Sequence, residues 1–184
     1  MLLSPRLGPL WWRGIKLLFW VSVVWIVATE TGLVGEVGSL GLKDPPNVTQ
    51  LAKRDIPTKY RKLYAKAGRD YRIPWTVLAG IGKVESDHGR SSAPGVRSGV
   101  NRFGCCAGPM QFNLRNGPPS TWDRYGKGSP YRPEHAIPAA ARLLRANGAR
   151  YDLDRALYSY NHSWSYVATV KAWARKYATG RLSA

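Results

Sequence analysis

The chain of 184 residues has only two cysteines and three histidines, and this shortage narrows the kinds of site that it can hold. Cys105 and Cys106 are adjacent, so no CxxC pair exists, and His88, His135 and His162 lie far apart in the sequence. Because a zinc site needs several such ligands close together, we expect no zinc site. The sequence leaves open whether the cysteines remain thiols or form a vicinal disulfide, which an oxidising compartment would favour.

Acidic residues are also scarce. The chain has 11 Asp and Glu against 28 Lys and Arg, which gives a formal net charge of +17. Such a charge predicts an anionic partner, although a solvated basic face would have the same composition. The basic residues are scattered along the chain and form no recognisable nucleic-acid motif, so nucleic acid is not the expected partner.

Long apolar runs are missing except at residues 17–28, which are interrupted only by Ser22 and preceded by Arg6, Arg13 and Lys16. A basic region followed by an apolar run is typical of a signal peptide or an uncleaved anchor. Twelve helical residues span ~18 Å, against ~30 Å for a hydrocarbon core, and no A-x-A cleavage site follows. Both interpretations therefore stay open, beside that of a buried N-terminal helix. We assign residues 1–34 to this signal peptide or anchor, 35–54 to a linker, and 55–184 to an exported folded domain.

Strand-like alternation is missing as well, and helical periodicity takes its place, which predicts a mostly α domain. Asp55 is expected to cap a first helix. A second helix runs from Trp75 towards His88 and stops at Gly89. Later helices are expected to begin near three positions: Pro133, Asp152 or Asp154, and Ser163 or Ser165. Residues 91–128 are rich in Gly, Pro, Ser and Asn, and they predict long loops with a small hairpin.

Glu85 stands out on the second predicted helix. It follows Leu78 by seven residues and Ile81 by four, so it shares their apolar face. Burial there raises the pKa of a carboxyl, and so does the negative end of the helix dipole. A raised pKa suits a general acid that works near neutral pH. The competing interpretation is an ordinary Glu that pairs with Lys or Arg at the edge of the core.

A second catalytic carboxyl is not evident. Glycosidases usually place two carboxyls opposite each other across the sugar. Asp87 lies ~200° around the helix from Glu85 and is expected to point away from it. Asp123 and Glu134 have no local environment that the sequence reveals. The spacing of Glu85 and His88 can bind metal, but no second Glu-x-x-His accompanies it.

Three blocks of the sequence follow one another in the order of a known family's motifs. They are residues 73–90 (IPWTVLAGIGKVESDHGR), residues 108–112 (GPMQF) with 120–126 (STWDRYG), and residues 157–163 (LYSYNHS) with Tyr166 and Val167. The set resembles the lytic murein transglycosylases, in the branch similar to membrane-bound transglycosylase B of actinobacteria and their phages. The similarity covers roughly residues 56–177. An Asp- and Gly-rich insertion that relatives often carry is missing before Pro133. Because a calcium-binding loop of that kind is absent, we expect no bound metal and no cofactor.

The resemblance implies a lysozyme-like, mostly helical α+β fold with a cleft for a peptidoglycan strand. It implies cleavage of the MurNAc-GlcNAc β-1,4 bond with formation of 1,6-anhydro-MurNAc, in which Glu85 serves as acid and then as base. The substrate-binding positions that it carries over are Ser86, Met110, Gln111, Phe112, Tyr160 and Asn161. From the residues alone, Met110 and Phe112 fit a plain core equally well, and Gln111 fits a loop-capping amide.

The partners expected from this reading are glycan strands, with anionic wall polymers as further candidates and the N-terminal segment at the membrane. Two alternatives remain. One is a hydrolytic muramidase, for which Asp123 is the first candidate to activate water. The other is a non-catalytic binder of anionic wall polymer or nucleic acid, which the net charge of +17 also fits.

Overall fold

The computed structural model describes residues 44–115, 117 and 119–180. The predicted signal peptide or anchor, and the first part of the predicted linker, lie outside the described residues. In the part of the chain that is described, no helix is both long and apolar enough to cross a membrane.

The described residues are mostly helical, as the periodicity predicts. The helices are α1 (Gln50–Asp55), α2 (Thr58–Tyr71), α3 (Trp75–Ser86), α4 (Thr121–Tyr125), α5 (Pro133–Ala146), α6 (Leu153–Asn161) and α7 (Trp164–Thr179). Two short strands, β1 (Cys106–Ala107) and β2 (Phe112–Asn113), pair antiparallel in the loop region, with Ala107 opposite Phe112. The small hairpin expected in this region is thereby confirmed.

The core lies where α3 packs against α7, α2 and α5. Leu78 and Ile81 of α3 are fully buried, as are Leu144 of α5 and Val170 of α7. Each such side chain contributes about 2 kcal/mol through the removal of apolar surface from water. The sequence predicts one apolar face of α3 from the spacing of Leu78 and Ile81. That face is the one that packs into the core.

Packed structure begins before residue 55. Helix α1 falls inside the stretch that we expected to be a linker, and its Ala52 is fully buried. The Thr49 hydroxyl donates to the carbonyl of Tyr177 at 3.0 Å, which ties the start of α1 to α7. The Arg61 guanidinium also bonds Asp44, at 2.6 Å. Residues 44–54 therefore belong with the helices that follow them.

Helix ends differ from the expected ones at two places. Asp55 is the last residue of α1 rather than the cap of the next helix, whose N-cap is Pro57 without a side-chain bond. Helix α3 ends at Ser86 because Asp87 adopts a left-handed conformation, with φ 50°, before Gly89 is reached. The later caps agree with expectation, since Asp152 caps α6 and Ser163 caps α7.

Candidate functional site

A pocket of about 940 Å³ lies where the last turn of α3 meets the loops before α4 and the end of α6. Its wall includes Glu85 of α3 and Gln111 and Phe112 of the hairpin region. The end of α6 adds Ser159, Tyr160 and Asn161, and His162 follows. Residues from all three blocks of the sequence thus meet around one pocket.

The carboxyl of Glu85 is enclosed by protein although part of its side chain faces the pocket. Its Oε1 accepts a hydrogen bond of 2.7 Å from the Tyr166 hydroxyl. Burial raises the pKa of Glu85 to about 7, and the bond from Tyr166 opposes part of that rise. Because no cation accompanies this carboxyl among its partners in the described residues, both protonation states are accessible near neutral pH.

Close approach of α3 and α7 brings Tyr166 to Glu85, which lies 81 residues away in sequence. A Cβ at Gly80 would lie 2.6 Å from the backbone oxygen of Val170, so only glycine allows this crossing. Val170 lies one turn after Tyr166, and Gly80 lies five residues before Glu85. The helix crossing therefore sets the distance between the phenol and the carboxyl.

Tyr160 supports the same side of the pocket from α6. Its hydroxyl donates to the carbonyl of Met110 at 2.8 Å, and its ring stacks on that of Tyr166 at 6.2 Å between centroids. Burial raises the pKa of both phenols well above the ordinary value, so both stay neutral hydrogen-bond donors. The sequence assigns a site role to Tyr160 but not to Tyr166, which it includes only as part of the third block.

The other predicted contact residues divide into two groups. Gln111, Phe112 and Asn161 are on the pocket wall, although Phe112 is only 2% exposed. Ser86 and Met110 are 2% and 0% exposed and do not belong to the wall. Ser86 and Met110 are therefore not placed to contact a ligand in the pocket directly.

Ser86 and Gln111 position the loop that carries Met110. The Ser86 hydroxyl donates to the carbonyl of Pro109 at 2.6 Å and accepts from the N–H of Gly89 at 2.8 Å. The Gln111 amide donates to the carbonyl of Gly108 at 2.9 Å. These bonds fasten residues 108–111 to the end of α3, which holds the floor of the pocket beside Glu85.

The other carboxyls considered from the sequence do not lie on the pocket wall. Asp123 forms a capping box with Ser120 at the start of α4, and Glu134 pairs with Lys59 at 3.1 Å. Asp87 bonds Lys83 and Arg90. Among the described residues that line the pocket, Glu85 is the single carboxylate.

A cluster of ion pairs covers the side of α3 opposite the pocket. Lys83 donates to Asp55 at 2.8 Å and to Asp87 at 2.7 Å, and Arg90 bonds the same two carboxylates. Asp55 also accepts from the Tyr177 hydroxyl at 2.5 Å. The sequence does not reveal this cluster, because it joins α1, the end of α3 and α7, which meet only in the folded chain. From the sequence, Asp55 is expected to be a helix cap.

His88 lies beneath that cluster and is 1% exposed. Its two ring nitrogens are 3.1 Å from the Tyr64 hydroxyl and 3.0 Å from the Tyr177 hydroxyl. Burial lowers its pKa to about 4, so the ring is neutral at pH 7. His88 is thus a fully bonded core residue. Across the described ranges, no group of three His, Cys, Asp or Glu side chains is placed to hold a metal ion. The expectation that no metal binds stays a prediction.

The two cysteines, whose state the sequence left open, form a disulfide between Cys105 and Cys106. Both are half-buried and both line the pocket.

Comparison of the chain with family models, curated proteins and solved structures gives no match.

Proposed function

We propose that the protein is a peptidoglycan lytic transglycosylase, in which Glu85 is the single acid and base. The observation that carries the proposal is the carboxylate of Glu85, the single one among the described residues on the pocket wall, with its pKa raised to about 7 by burial. The resemblance of the three sequence blocks adds support, because residues of all three line that pocket. A lysozyme-like arrangement, with this pocket as part of a glycan cleft, belongs to the same proposal.

The reaction needs two proton transfers at one carboxyl. Protonated Glu85 gives its proton to the oxygen of the MurNAc-GlcNAc β-1,4 bond, and the bond from C1 to that oxygen breaks. The resulting carboxylate takes the proton of the C6 hydroxyl of the same MurNAc as that oxygen attacks C1. The products are a GlcNAc end and a 1,6-anhydro-MurNAc end, and Glu85 is protonated again.

Tyr166 fits the ionised stage of this cycle. Its hydroxyl donates to Glu85 Oε1, and a hydrogen bond to a charged acceptor is stronger than one to a neutral acceptor. The bond thus stabilises the carboxylate that forms after the first proton transfer. A pKa near 7 leaves the acid form populated for the next cycle.

The basic surface supports an acidic polymer as substrate. Between His88 and Trp122 the chain has four Arg, at positions 90, 97, 102 and 115, and no Asp or Glu. Arg102 is exposed and lines the pocket. Wall glycans carry lactyl and stem-peptide carboxylates, which this charge attracts. Export of the domain by its N-terminal segment, as a signal peptide or anchor, is part of the proposal.

The test is to digest purified peptidoglycan with the full chain and to identify the muropeptides by mass spectrometry. We expect 1,6-anhydro-MurNAc ends. Products that each carry one added water, without anhydro ends, would contradict the proposal and favour a hydrolytic muramidase. A muramidase needs a carboxylate to activate water, and Asp123, its first candidate, is already engaged in a capping box at an exposed position.

The net charge of +17 also favours a second candidate, a non-catalytic binder of anionic wall polymer or nucleic acid. A binder and an enzyme differ in the effect of Glu85→Gln. If wild type and Glu85→Gln clear suspensions of cell walls equally, the protein does not act through Glu85.

A further inference from the structure

Neither the proton transfers at Glu85 nor the core requires the disulfide between Cys105 and Cys106, yet both residues line the pocket that holds Glu85. They are the two cysteines of the whole chain. Both are half-buried, so the pair is accessible from the pocket side. We propose that the disulfide is a ligand-binding element of the pocket wall, and that the pocket binds its glycan more tightly in the oxidised form than in the reduced form. This inference rests on the proposed function, because it takes the ligand to be an acidic glycan.

The loop around the disulfide is held by Asn101. The Asn101 side-chain oxygen accepts from the N–H of Phe103 at 3.1 Å and from that of Cys105 at 3.3 Å. Its backbone N–H donates to the carbonyl of Cys106 at 2.8 Å. Residues 101–106 therefore form a closed turn, and the disulfide joins the last two residues of that turn.

The turn presents ligand-binding groups at its tip. Phe103 is 75% exposed, and the Arg102 guanidinium lies 4.9 Å from the centre of its ring. Both residues line the pocket. An exposed aromatic ring with a cation beside it suits a sugar that carries a carboxylate, because the ring covers the apolar sugar face while the cation meets the charge.

The same turn is linked to the floor of the pocket. The Asn101 side-chain amide donates to Gln111 Oε1 at 3.3 Å, and Gln111 in turn bonds the carbonyl of Gly108. Leu114 donates to the carbonyl of Cys105 at 2.9 Å, which fastens the disulfide to the far side of the hairpin. A change in the geometry of residues 105 and 106 is thereby transmitted to Arg102, Phe103 and Gln111 together.

Reduction would change that geometry. A dithiol reductant attacks one of the two sulfur atoms as a thiolate, the bond between the cysteine sulfurs breaks, and a mixed disulfide forms. The second thiol of the reductant then displaces the cysteine, which leaves a cyclic reductant disulfide and two protonated cysteine thiols. Two electrons pass from the reductant to the protein. The two thiols need more room than the bonded pair, and the constraint on the turn is lost.

The experiment uses the full chain with Glu85→Gln, so that wall material is bound without being cut. Oxidised protein is compared with protein reduced by dithiothreitol in co-sedimentation with insoluble peptidoglycan. Free thiols are counted in each sample, and helix content is followed by circular dichroism. We expect two thiols after reduction, unchanged helix content, and an apparent Kd that rises on the order of tenfold. Reoxidation should restore binding.

A matched control carries Cys105→Ser and Cys106→Ser in addition to Glu85→Gln. It should bind like the reduced protein, with or without dithiothreitol. Equal binding by oxidised and reduced protein would overturn the inference, as would failure of the dithiol to reach the pair in the folded chain. Loss of helix content on reduction would also overturn it, since the disulfide would then be a general constraint on folding.

The rate and products of wild-type digestion separate the role of the disulfide from the enzymatic activity. If the wild type yields anhydro products at equal rates in both redox states, the disulfide is not part of the binding wall but the enzyme assignment stands. If the wild type yields no anhydro products in either state, the enzyme assignment fails. Absence of any wall binding by the oxidised Glu85→Gln variant would overturn the ligand assignment of the pocket.

Discussion

Glu85 and Asp87 lie two residues apart at the end of α3, and their carboxyls have opposite properties. Burial raises the pKa of Glu85 to about 7, whereas hydrogen bonds from Arg90 and Lys83 hold the pKa of Asp87 far below its ordinary value. One side of the helix turn encloses a carboxyl beside a neutral phenol, and the other side surrounds a carboxyl with cations. The rotation of the helix between positions 85 and 87 thus places two carboxyls in opposite electrostatic environments.

The largest expected difference between the two sides is in activity. Glu85→Gln should reduce the rate of wall cleavage by about 10²- to 10⁴-fold, the usual contribution of a general acid. Asp87→Asn should change that rate by less than about threefold, because Asp87 does not line the pocket. Release of soluble muropeptides from purified walls measures both rates. A similar loss in both variants would show that the two sides are not functionally distinct.

The second difference is in stability as a function of pH. The folded state of the wild type binds a proton at Glu85 up to about pH 7, whereas an unfolded Glu releases it near 4.5. The free energy of unfolding therefore falls as pH rises between these values and then levels off. Relative to wild type, the free energy of unfolding of Glu85→Gln should rise by about 3 kcal/mol between pH 4.5 and pH 8. Denaturant titrations at several pH values measure this, and a constant difference between the two proteins would refute a raised pKa.

Tyr166→Phe removes the hydrogen bond that Glu85 accepts on the pocket side. Loss of the hydroxyl removes a bond that favours ionised Glu85, so the pKa of Glu85 should rise further. The cleavage rate should fall about tenfold, as for one lost hydrogen bond to a charged group. The alkaline limb of the pH-rate profile, where Glu85 loses its proton, should move to higher pH. Tyr160→Phe is the control, because its hydroxyl bonds a backbone carbonyl and not Glu85. A limb that stays in place in Tyr166→Phe would show that this bond does not control the acid.

The smallest effect is expected on the ion-pair side. Asp87→Asn should cost about 1 kcal/mol or less at pH 7, since the Asp87 side chain is 43% exposed and its pairs are screened by solvent. The lowered pKa of Asp87 contributes stability above the unfolded value, and this contribution is lost as pH falls through the folded pKa. The difference from wild type should therefore shrink in acid, opposite in sign to that of Glu85→Gln. Thermal unfolding at pH 7 and pH 3 measures it, and a difference that grows in acid would contradict the assignment.

Some features of α3 could be predicted from the sequence, and others could not. The rotation between Glu85 and Asp87 follows from helix periodicity alone, and so does the burial of Leu78 and Ile81, because local geometry determines both. The bond from Tyr166 to Glu85 depends on how α3 crosses α7, and periodicity within one helix contains no such information. The partners of Asp55 depend on three elements that meet only in the folded chain.

Residue type was a weaker guide inside the second block. Met110 and Gln111 are adjacent, yet one is fully buried and the other lines the pocket. Gln111 has φ 45°, and this left-handed turn determines which side chain faces outward. Side chains in a loop follow no fixed periodicity. The turn, and not the pattern of residue types, therefore determines where the side chains of two adjacent residues point.

Titration of the Glu85 carboxyl by ¹³C NMR measures its pKa in the folded protein, with Glu85→Gln used to assign the resonance. If Glu85 is the acid, the midpoint should be about 7, because burial raises the pKa and Tyr166 offsets only part of the rise. A midpoint near the ordinary value of 4.5 would show that the carboxyl is ionised at neutral pH, and it would contradict a role for Glu85 as the acid.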